Sequence, residues 1–325
     1  MADIIKRIEG RRVAVFGDPC LDLNVYGRGR TVAKEAPVIA FEVSREVYAP
    51  GQATNVAANA AALGARVSFV GLAGPDAARD RLADLLESAG VDVSGLLAEP
   101  GRPTTFKTKY VTREKQRHGQ HVFHVYREEG RGPSRQLGRE LRAAASRALT
   151  GAGVAVLSDY AGGTLVGSFP RWLIGECGRK GVKTVANGRG DLRKFRGATL
   201  IVGNEEELAL AAGGKAGAAG VSGEALARAA GRLDAQYLVI TAGADGMYVR
   251  PPRGRVLHFQ TAARELTDVT GAGDTVTAAL AAALGAGVAL GRAAAFANLA
   301  AAAAVGREGT TAVRAEDLAG FLGGR

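Results

Sequence analysis

The strongest constraint on the fold is an alternation of short apolar runs with stretches of helical composition. RRVAVFG (11–17) has the pattern of a buried strand, and QATNVAANAAAL (52–63) reads as a helix stopped by Gly64. RVSFVGLAG (66–74) is again a strand, and Asp76–Ala89 a helix stopped by Gly90. GVAVLS (153–158), VKTVA (182–186), ATLIVG (198–203), YLVITAG (237–243) and GMYVRP (246–251) continue the series, with helical stretches between most of them. Strands joined through helices return in the same direction and pair in parallel. The pattern predicts an α/β chain, a mostly parallel sheet covered by helices on both faces.

Two segments break this rhythm. Residues 23–48 and 104–128 are rich in Val, Phe, Tyr and Thr alternating with polar residues, as in KTKYVT (107–112) and HVFHVY (121–126). Such alternation suits strands with one face in water. A small sheet built from both inserts would form a flap, or lid, over the ligand edge of a single domain spanning 1–325. Ala211–Gly223 is a Gly/Ala-rich loop without chemistry of its own.

Composition narrows the function classes. With 47% hydrophobic residues the chain can bury a core and is not a disordered protein. Two cysteines, Cys20 and Cys177, make no disulfide framework and are expected as small buried residues in a reducing compartment. MADIIKRIEGRR carries no apolar signal region, so a cytoplasmic location is expected. The net charge of +10 comes from 42 Lys and Arg against 32 Asp and Glu, with the basic residues scattered and only nine of them lysine. That scatter argues against a nucleic-acid partner. One concentration, Arg102, Lys107, Lys109, Arg113, Lys115 and Arg117, is either a solvated basic surface or a pocket for phosphorylated small molecules. Residues 275–305 are apolar over a membrane-spanning length, but Gly285, Gly287, Arg292 and Asn298 interrupt them. Two packed helices joined by a glycine turn are expected there, with no membrane partner.

The richest chemistry lies in LTDVTGAGDTVTAAL (266–280). A turn holding Gly271, Ala272 and Gly273 runs straight into a helix, so its N–H groups and the helix dipole converge on an anion hole. Asp274, in the first turn, is placed to accept a proton from a substrate hydroxyl. The plainer alternative is a loop with Asp274 as helix cap. No Walker A pattern is present, since Gly214-Lys215 lacks both the upstream Gly and the following Ser or Thr.

Asp268–Asp274 resemble the C-terminal signature of the ribokinase/PfkB carbohydrate kinases, and PGQATNVAANAAALGARVSFVGLAGPD (50–76) resembles their N-terminal signature. The resemblance covers nearly the whole chain. It implies a ribokinase-like three-layer αβα sandwich with a small β-sheet flap. GDPCLD (17–22) resembles the first-strand turn, whose Asp18 and Asp22 are then substrate residues, Asp22 binding sugar hydroxyls. Asn55 matches the sugar-contacting Asn of the N-terminal signature, and Gly51 and Gln52 are expected beside it as substrate residues, with stiffening of a flap hinge as the alternative for Gln52. NEEE (204–207) matches N-x-x-E, implying that Asn204 and Glu207 organise Mg²⁺ and phosphate through water. Thr241, Gly243 and Gly246 in TAGADG resemble the turn at the nucleotide phosphates, Asn298 falls at the adenine pocket, and Asn187 and Asn204 are expected as further nucleotide-binding residues. The implied cofactors are ATP and Mg²⁺, with a monovalent cation such as K⁺ as a further one. The family's flap sheets often pair between subunits, so a homodimer is expected.

Within the family the chain is most similar to the D-glycero-β-D-manno-heptose-7-phosphate kinases, including the kinase half of bifunctional heptose kinase/adenylyltransferases. EAPV (35–38), PTTFK (103–107), LSDYAGGTL (157–165), RGATLIVGNEEEL (196–208) and ANLAAAAAVGREGT (297–310) carry that likeness. It implies phosphorylation of a heptose 7-phosphate at its anomeric hydroxyl, with Lys107 and Lys109 holding the existing phosphate. A kinase without an adenylyltransferase domain is expected. Other sugars, a nucleoside, or a catalytically inactive nucleotide-binding regulator are the alternatives.

The sequence departs from that pattern in four places. Gln52 replaces the second of two glycines, Ala161-Gly162 replace Gly-Lys, and Ala186-Asn187-Gly188 replace Asp-Pro-Lys. Asn187 with Arg189 resembles instead the N-x-R of other sugar kinases, and RHGQHVFHVYRE stands where a Gln-rich flap strand is usual. His118, His121 and His124 invite a metal, but spacing of three on a strand sends side chains to alternating faces, so phosphate contact or plain surface is expected instead.

Overall fold

The computed structural model describes residues 1–112, 119–215, 220–263, 270–306 and 312–319. Thirteen strands occur in the described residues: β1 (Arg12–Gly17), β2 (Pro19–Val32), β3 (Ile39–Gly51), β4 (Arg66–Ala73), β5 (Val91–Ala98), β6 (Thr105–Thr112), β7 (Gln120–Arg127), β8 (Val154–Asp159), β9 (Lys183–Gly188), β10 (Leu200–Asn204), β11 (Tyr237–Thr241), β12 (Met247–Arg250) and β13 (Leu257–Phe259). The helices are α1 (Ala2–Ile8), α2 (Gln52–Ala62), α3 (Ala77–Ser88), α4 (Arg135–Ala148), α5 (Phe169–Lys180), α6 (Glu205–Ala211), α7 (Gly223–Leu233), α8 (Ala272–Gly285), α9 (Leu290–Val305) and α10 (Ala315–Ala319).

The large sheet has nine strands in the order β13-β12-β11-β10-β9-β8-β1-β4-β5. Its pairings are parallel from β5 through β11, and β12 and β13 close one edge antiparallel. Alternation along β1 explains the two cores. Val13 and Val15 enter one cluster with residues of α1, α2, α3, α8 and α9. Ala14 and Phe16 enter another with residues of α4, α5, α6 and α7. This is the expected ribokinase-like α/β architecture.

The apolar stretch 275–305 is two helices, α8 and α9, with Gly287 at φ +72° in the turn between them. No helix among the described residues is long and apolar enough to cross a membrane. Both cysteines are free and buried. Burial pushes the Cys177 thiol up to about 12 and the Cys20 thiol well above its usual range.

A second sheet of four strands runs in the order β3-β2-β6-β7. It is larger than the alternating segments indicate: β2 begins at Pro19 and β3 continues to Gly51, so Asp22 and Gly51 both belong to it. The chain therefore steps from the large sheet to the small one across a single residue, Asp18. Register places Asp22 beside Lys107, Asn24 beside Lys109, Lys107 beside Tyr126 and Lys109 beside His124. These residues share one face, which lies over the C-terminal ends of the parallel strands.

Candidate active site

The carboxyl ends of β9, β10 and β11, the loop after β8 and the N-terminus of α8 border three adjoining hollows. The first, of about 350 Å³, lies between the two sheets and is lined by Asp22, Gln52, Lys107, Lys109, His124, Tyr126, Tyr160, Arg189, Thr270, Gly271, Gly273 and Asp274. The second, about 200 Å³, is lined by Tyr160, Asn187, Arg189, Asn204, Glu207, Thr241 and Gly273, among others. The third, about 530 Å³ and mostly apolar, is lined by Thr241, Gly243, Gly246, Ala272, Gly273 and Asn298 with apolar residues of α8 and α9. Gly273 borders all three.

Asp274 sits at this junction and is 6% exposed. Its Oδ2 accepts from Asn55 Nδ2 at 2.9 Å, and its Oδ1 accepts from the Tyr160 hydroxyl. Burial pushes its carboxyl up to about 6, and the Tyr160 and Asn55 hydrogen bonds oppose that rise. Gly271 has φ +82°, the left-handed conformation that admits glycine readily, and turns the chain into α8. The amides of the first helical turn have no acceptor within the helix, an arrangement suited to binding an anion.

Asn55 is buried behind Asp274 rather than in the cavity wall. Asn59, one turn later on α2, donates to Asn55 Oδ1 at 2.9 Å, and Asn59 Oδ1 accepts from the Val313 amide at 3.1 Å. Asn59 was not singled out in the sequence; its spacing of four from Asn55 is the signal that points to it. Tyr160 was also missed, although it lies inside LSDYAGGTL.

Asp22 accepts from Lys109 Nζ at 2.7 Å, and both side chains are buried. A Cβ on Gly51 would come within 2.5 Å of Asp22 Oδ1, so glycine there permits the approach of the two strands. Lys107 pairs with Glu128 at 3.4 Å and lies 4.9 Å from the Tyr126 ring centre. Asp18, by contrast, is 1% exposed and accepts from the amides of Tyr160 (2.7 Å), Gly162 (2.9 Å) and Thr164 (2.9 Å). It shapes the loop that carries Tyr160. Arg102 likewise leaves the basic cluster: it is buried and bonds Glu99 and the carbonyls of Gly162 and Arg131. Arg113, Lys115, Arg117, His118 and Asp268 lie outside the described residues.

The histidine spacing misleads. Tyr110 pairs with Phe123 and the next residue, Val111, with His121, so Val122 is an extra residue on β7. This bulge brings His121 and His124 together, with ring nitrogens 2.8 Å apart, where regular alternation would separate them. No group of three or more His, Cys, Asp or Glu suited to a metal occurs among the described residues.

At the second hollow, Asn204 and Glu207 cap α6 reciprocally, Asn204 Oδ1 accepting the Glu207 amide at 2.8 Å and Glu207 Oε2 the Asn204 amide at 2.9 Å. Burial raises the Glu207 carboxyl. Asn187 Oδ1 is buried, and it has no hydrogen-bond partner among the described residues; Asn187 lines the same hollow. The side-chain oxygens of Asn187, Asn204 and Glu207 on this small hollow fit a hydrated divalent cation better than a directly ligated one. Asn298 Nδ2 donates to the Gln260 carbonyl at 2.7 Å, fixing α9 to the loop after β13. Gly246, at φ +85°, could carry no Cβ, which would meet the Phe259 carbonyl at 2.1 Å.

Residues 11–125 and 185–317 match the pattern of the pfkB family carbohydrate kinases. The chain belongs to that family. Phosphoryl transfer to a carbohydrate is the pfkB activity class, and the junction at Asp274 lies within the matched residues. Among curated relatives, the bifunctional protein HldE of Halorhodospira halophila is 41% identical over 96% of this chain and 64% of its own length. HldE of Geobacter metallireducens is 38% identical over 95% of this chain and 62% of its own length. The chain thus spans just under two thirds of these relatives. In fold it is similar to Arabidopsis thaliana ribokinase complexed with ribose and ATP (TM-score 0.73, 19% identity, covering 97% of this chain and 100% of that one). It is also similar to phosphofructokinase-2 of Escherichia coli in complex with substrates and products (TM-score 0.77, 17% identity, 95% and 97% covered).

Proposed function

We propose that this pfkB kinase transfers the γ-phosphoryl group of ATP to a sugar phosphate, D-glycero-β-D-manno-heptose 7-phosphate, giving the 1,7-bisphosphate. The observation that carries the reading is the position of Asp274, buried where a polar cavity and an apolar cleft meet across Gly273. A carboxylate there reaches the acceptor hydroxyl, while the α8 amides face the group in transfer.

The acceptor occupies the cavity between the sheets. Lys107 and Lys109 supply positive charge for its existing phosphate, and Asp22 accepts from its hydroxyls. Asp274 takes the proton of the attacking hydroxyl as the new O–P bond forms in line with the breaking bond to ADP. Asn187, Asn204 and Glu207 would hold hydrated Mg²⁺, which neutralises phosphate charge when bound. Thr241, Gly243 and Gly246 border the phosphates of ATP, and the apolar wall near Asn298 takes the adenine. The heptose assignment draws on the HldE relatives and on the segments EAPV and PTTFK.

The outer face of the small sheet exposes Val43, Phe123 and Val125, with Phe123 stacked on Tyr110 at 4.3 Å. Apolar residues beside free strand edges support pairing of two copies through this sheet. A monomeric mass in sedimentation at micromolar concentration would count against it.

An ADP-release assay with Mg-ATP and a panel of sugars and sugar phosphates tests the function. Turnover of the heptose 7-phosphate, with a 1,7-bisphosphate product in ³¹P spectra, is expected. Activity confined to unphosphorylated sugars or nucleosides overturns the substrate; no activity with any acceptor leaves a nucleotide-binding regulator.

A further inference from the structure

Gln52 combines two features that have no common cause in the fold. Its φ is +52°, in the left-handed region that residues with a Cβ avoid, although it opens α2 directly after the extended Gly51. The backbone around it is tied down on both sides. The Ala53 amide donates to the Asp18 carbonyl at 3.2 Å, and Thr54 Oγ1 bonds the carbonyls of Gly51 (2.6 Å) and Cys20 (3.1 Å). A residue free of a Cβ would take this conformation without strain.

The side chain is held in a place where it is not satisfied. Gln52 is 8% exposed, and its Oε1 is buried with no hydrogen-bond partner among the described residues. It lines the acceptor cavity beside Asp22, Lys107, Lys109 and Asp274. A buried amide oxygen without a donor is unfavourable, and that penalty disappears when a ligand hydroxyl supplies the donor. Lys109 is already engaged by Asp22, and Lys107 by Glu128.

We propose that Gln52 is a specificity-determining residue, whose amide oxygen accepts a hydrogen bond from a hydroxyl of the carbohydrate acceptor. The strained backbone keeps this oxygen at one point of the cavity wall. The site therefore selects a polyol with a hydroxyl there and rejects the corresponding deoxy sugar, which leaves the oxygen unpaired. This inference rests on the reading of the cavity as the acceptor site.

The test compares Gln52→Gly with Gln52→Ala, using Mg-ATP and D-glycero-β-D-manno-heptose 7-phosphate, with fructose 6-phosphate and ribose as further acceptors. Both variants lose the amide, so both should raise the acceptor KM by about 5- to 30-fold, with the loss falling on KM rather than kcat and the ATP KM unmoved. Both variants remove the unpaired oxygen but only Gln52→Gly relieves the backbone, so its thermal midpoint should lie about 2–4 °C above that of Gln52→Ala. An unchanged acceptor KM in both variants overturns the proposal. So does an acceptor KM that follows stability, with Gly like the parent and Ala impaired, because the side chain would then act only through the fold. If the parent enzyme ignores the heptose phosphate but phosphorylates another sugar, the substrate assignment fails and the same comparison on that sugar still decides Gln52. If no sugar releases ADP, both readings fall.

Discussion

The Tyr160 hydroxyl donates a hydrogen bond to Oδ1 of Asp274, joining the loop after β8 to the first turn of α8. Asn55 holds the other oxygen at 2.9 Å. The carboxylate is thereby fixed in rotation as well as position, and its approach to an acceptor is set by two partners on two other elements.

Replacing Asp274 by Asn should lower kcat by about 10²- to 10⁴-fold with little change in the KM for ATP, measured by ADP release. The same change should not lower the thermal midpoint at pH 7. The carboxyl titrates near 3.8 when exposed and at about 6 in the fold, so the native state holds the proton more tightly across that window. Its ionisation opposes folding increasingly as pH rises from the lower value through the higher one, and the amide has no such effect. Near-parental turnover would remove Asp274 from the role of base.

The pH profile of kcat/KM for the acceptor should fall off on the acid side near pH 6, where Asp274 takes up its proton. Tyr160→Phe removes a donor that favours the ionised carboxylate. The acid limb should therefore move to higher pH, and a limb that stays in place or moves down would show that Tyr160 does not act on Asp274.

Lys109→Met leaves the buried Asp22 carboxylate without its 2.7 Å partner. Breaking such a pair costs about 3–5 kcal/mol, so the midpoint of thermal unfolding should drop clearly. The double change with Asp22→Asn should recover part of that stability, but not acceptor binding, since both cavity groups are then lost. Circular dichroism melts beside acceptor KM values check both halves.

Gly273→Ala separates stability from function. Among the described residues nothing outside its own helix lies within 4 Å of a Cβ at this position, and the residue is in the first turn of a helix. The variant should be as stable as the parent or more so by about 0.5–1 kcal/mol. Yet the methyl group would enter the space where all three hollows meet, and kcat should fall at least tenfold. Unchanged turnover would mean that the phosphoryl group does not pass over Gly273.

The central strands and α2, α3, α8 and α9 were legible because each has one dominant period or a glycine stop. Val91–Ala98 was not: Asp92, Ser94 and Gly95 break its apolar run, and it forms a strand by pairing with β4 at the sheet edge. Of the residues lining the candidate site, Asp22, Asp274 and the glycines were legible, since they sit in short motifs with few neighbours to interpret. Asp18 and Asn55 have the right chemistry for substrate but are drawn inward by backbone amides and by Asp274, partners that exist only after folding. The neighbouring histidines depend on one inserted residue, Val122, which strand periodicity cannot reveal.

The passage from β1 to β2 across Asp18 also limits how the two sheets can move. With the large sheet ending at Gly17 and the small one starting at Pro19, there is no tether of slack chain between them. Asp18 is itself bolted to three amides of the Tyr160 loop. Any tilt of the small sheet that opens or shuts the cavity must pull on that loop, and hence on the hydroxyl gripping Asp274. Under the proposed function, entry of the sugar and alignment of the base are then one mechanical event.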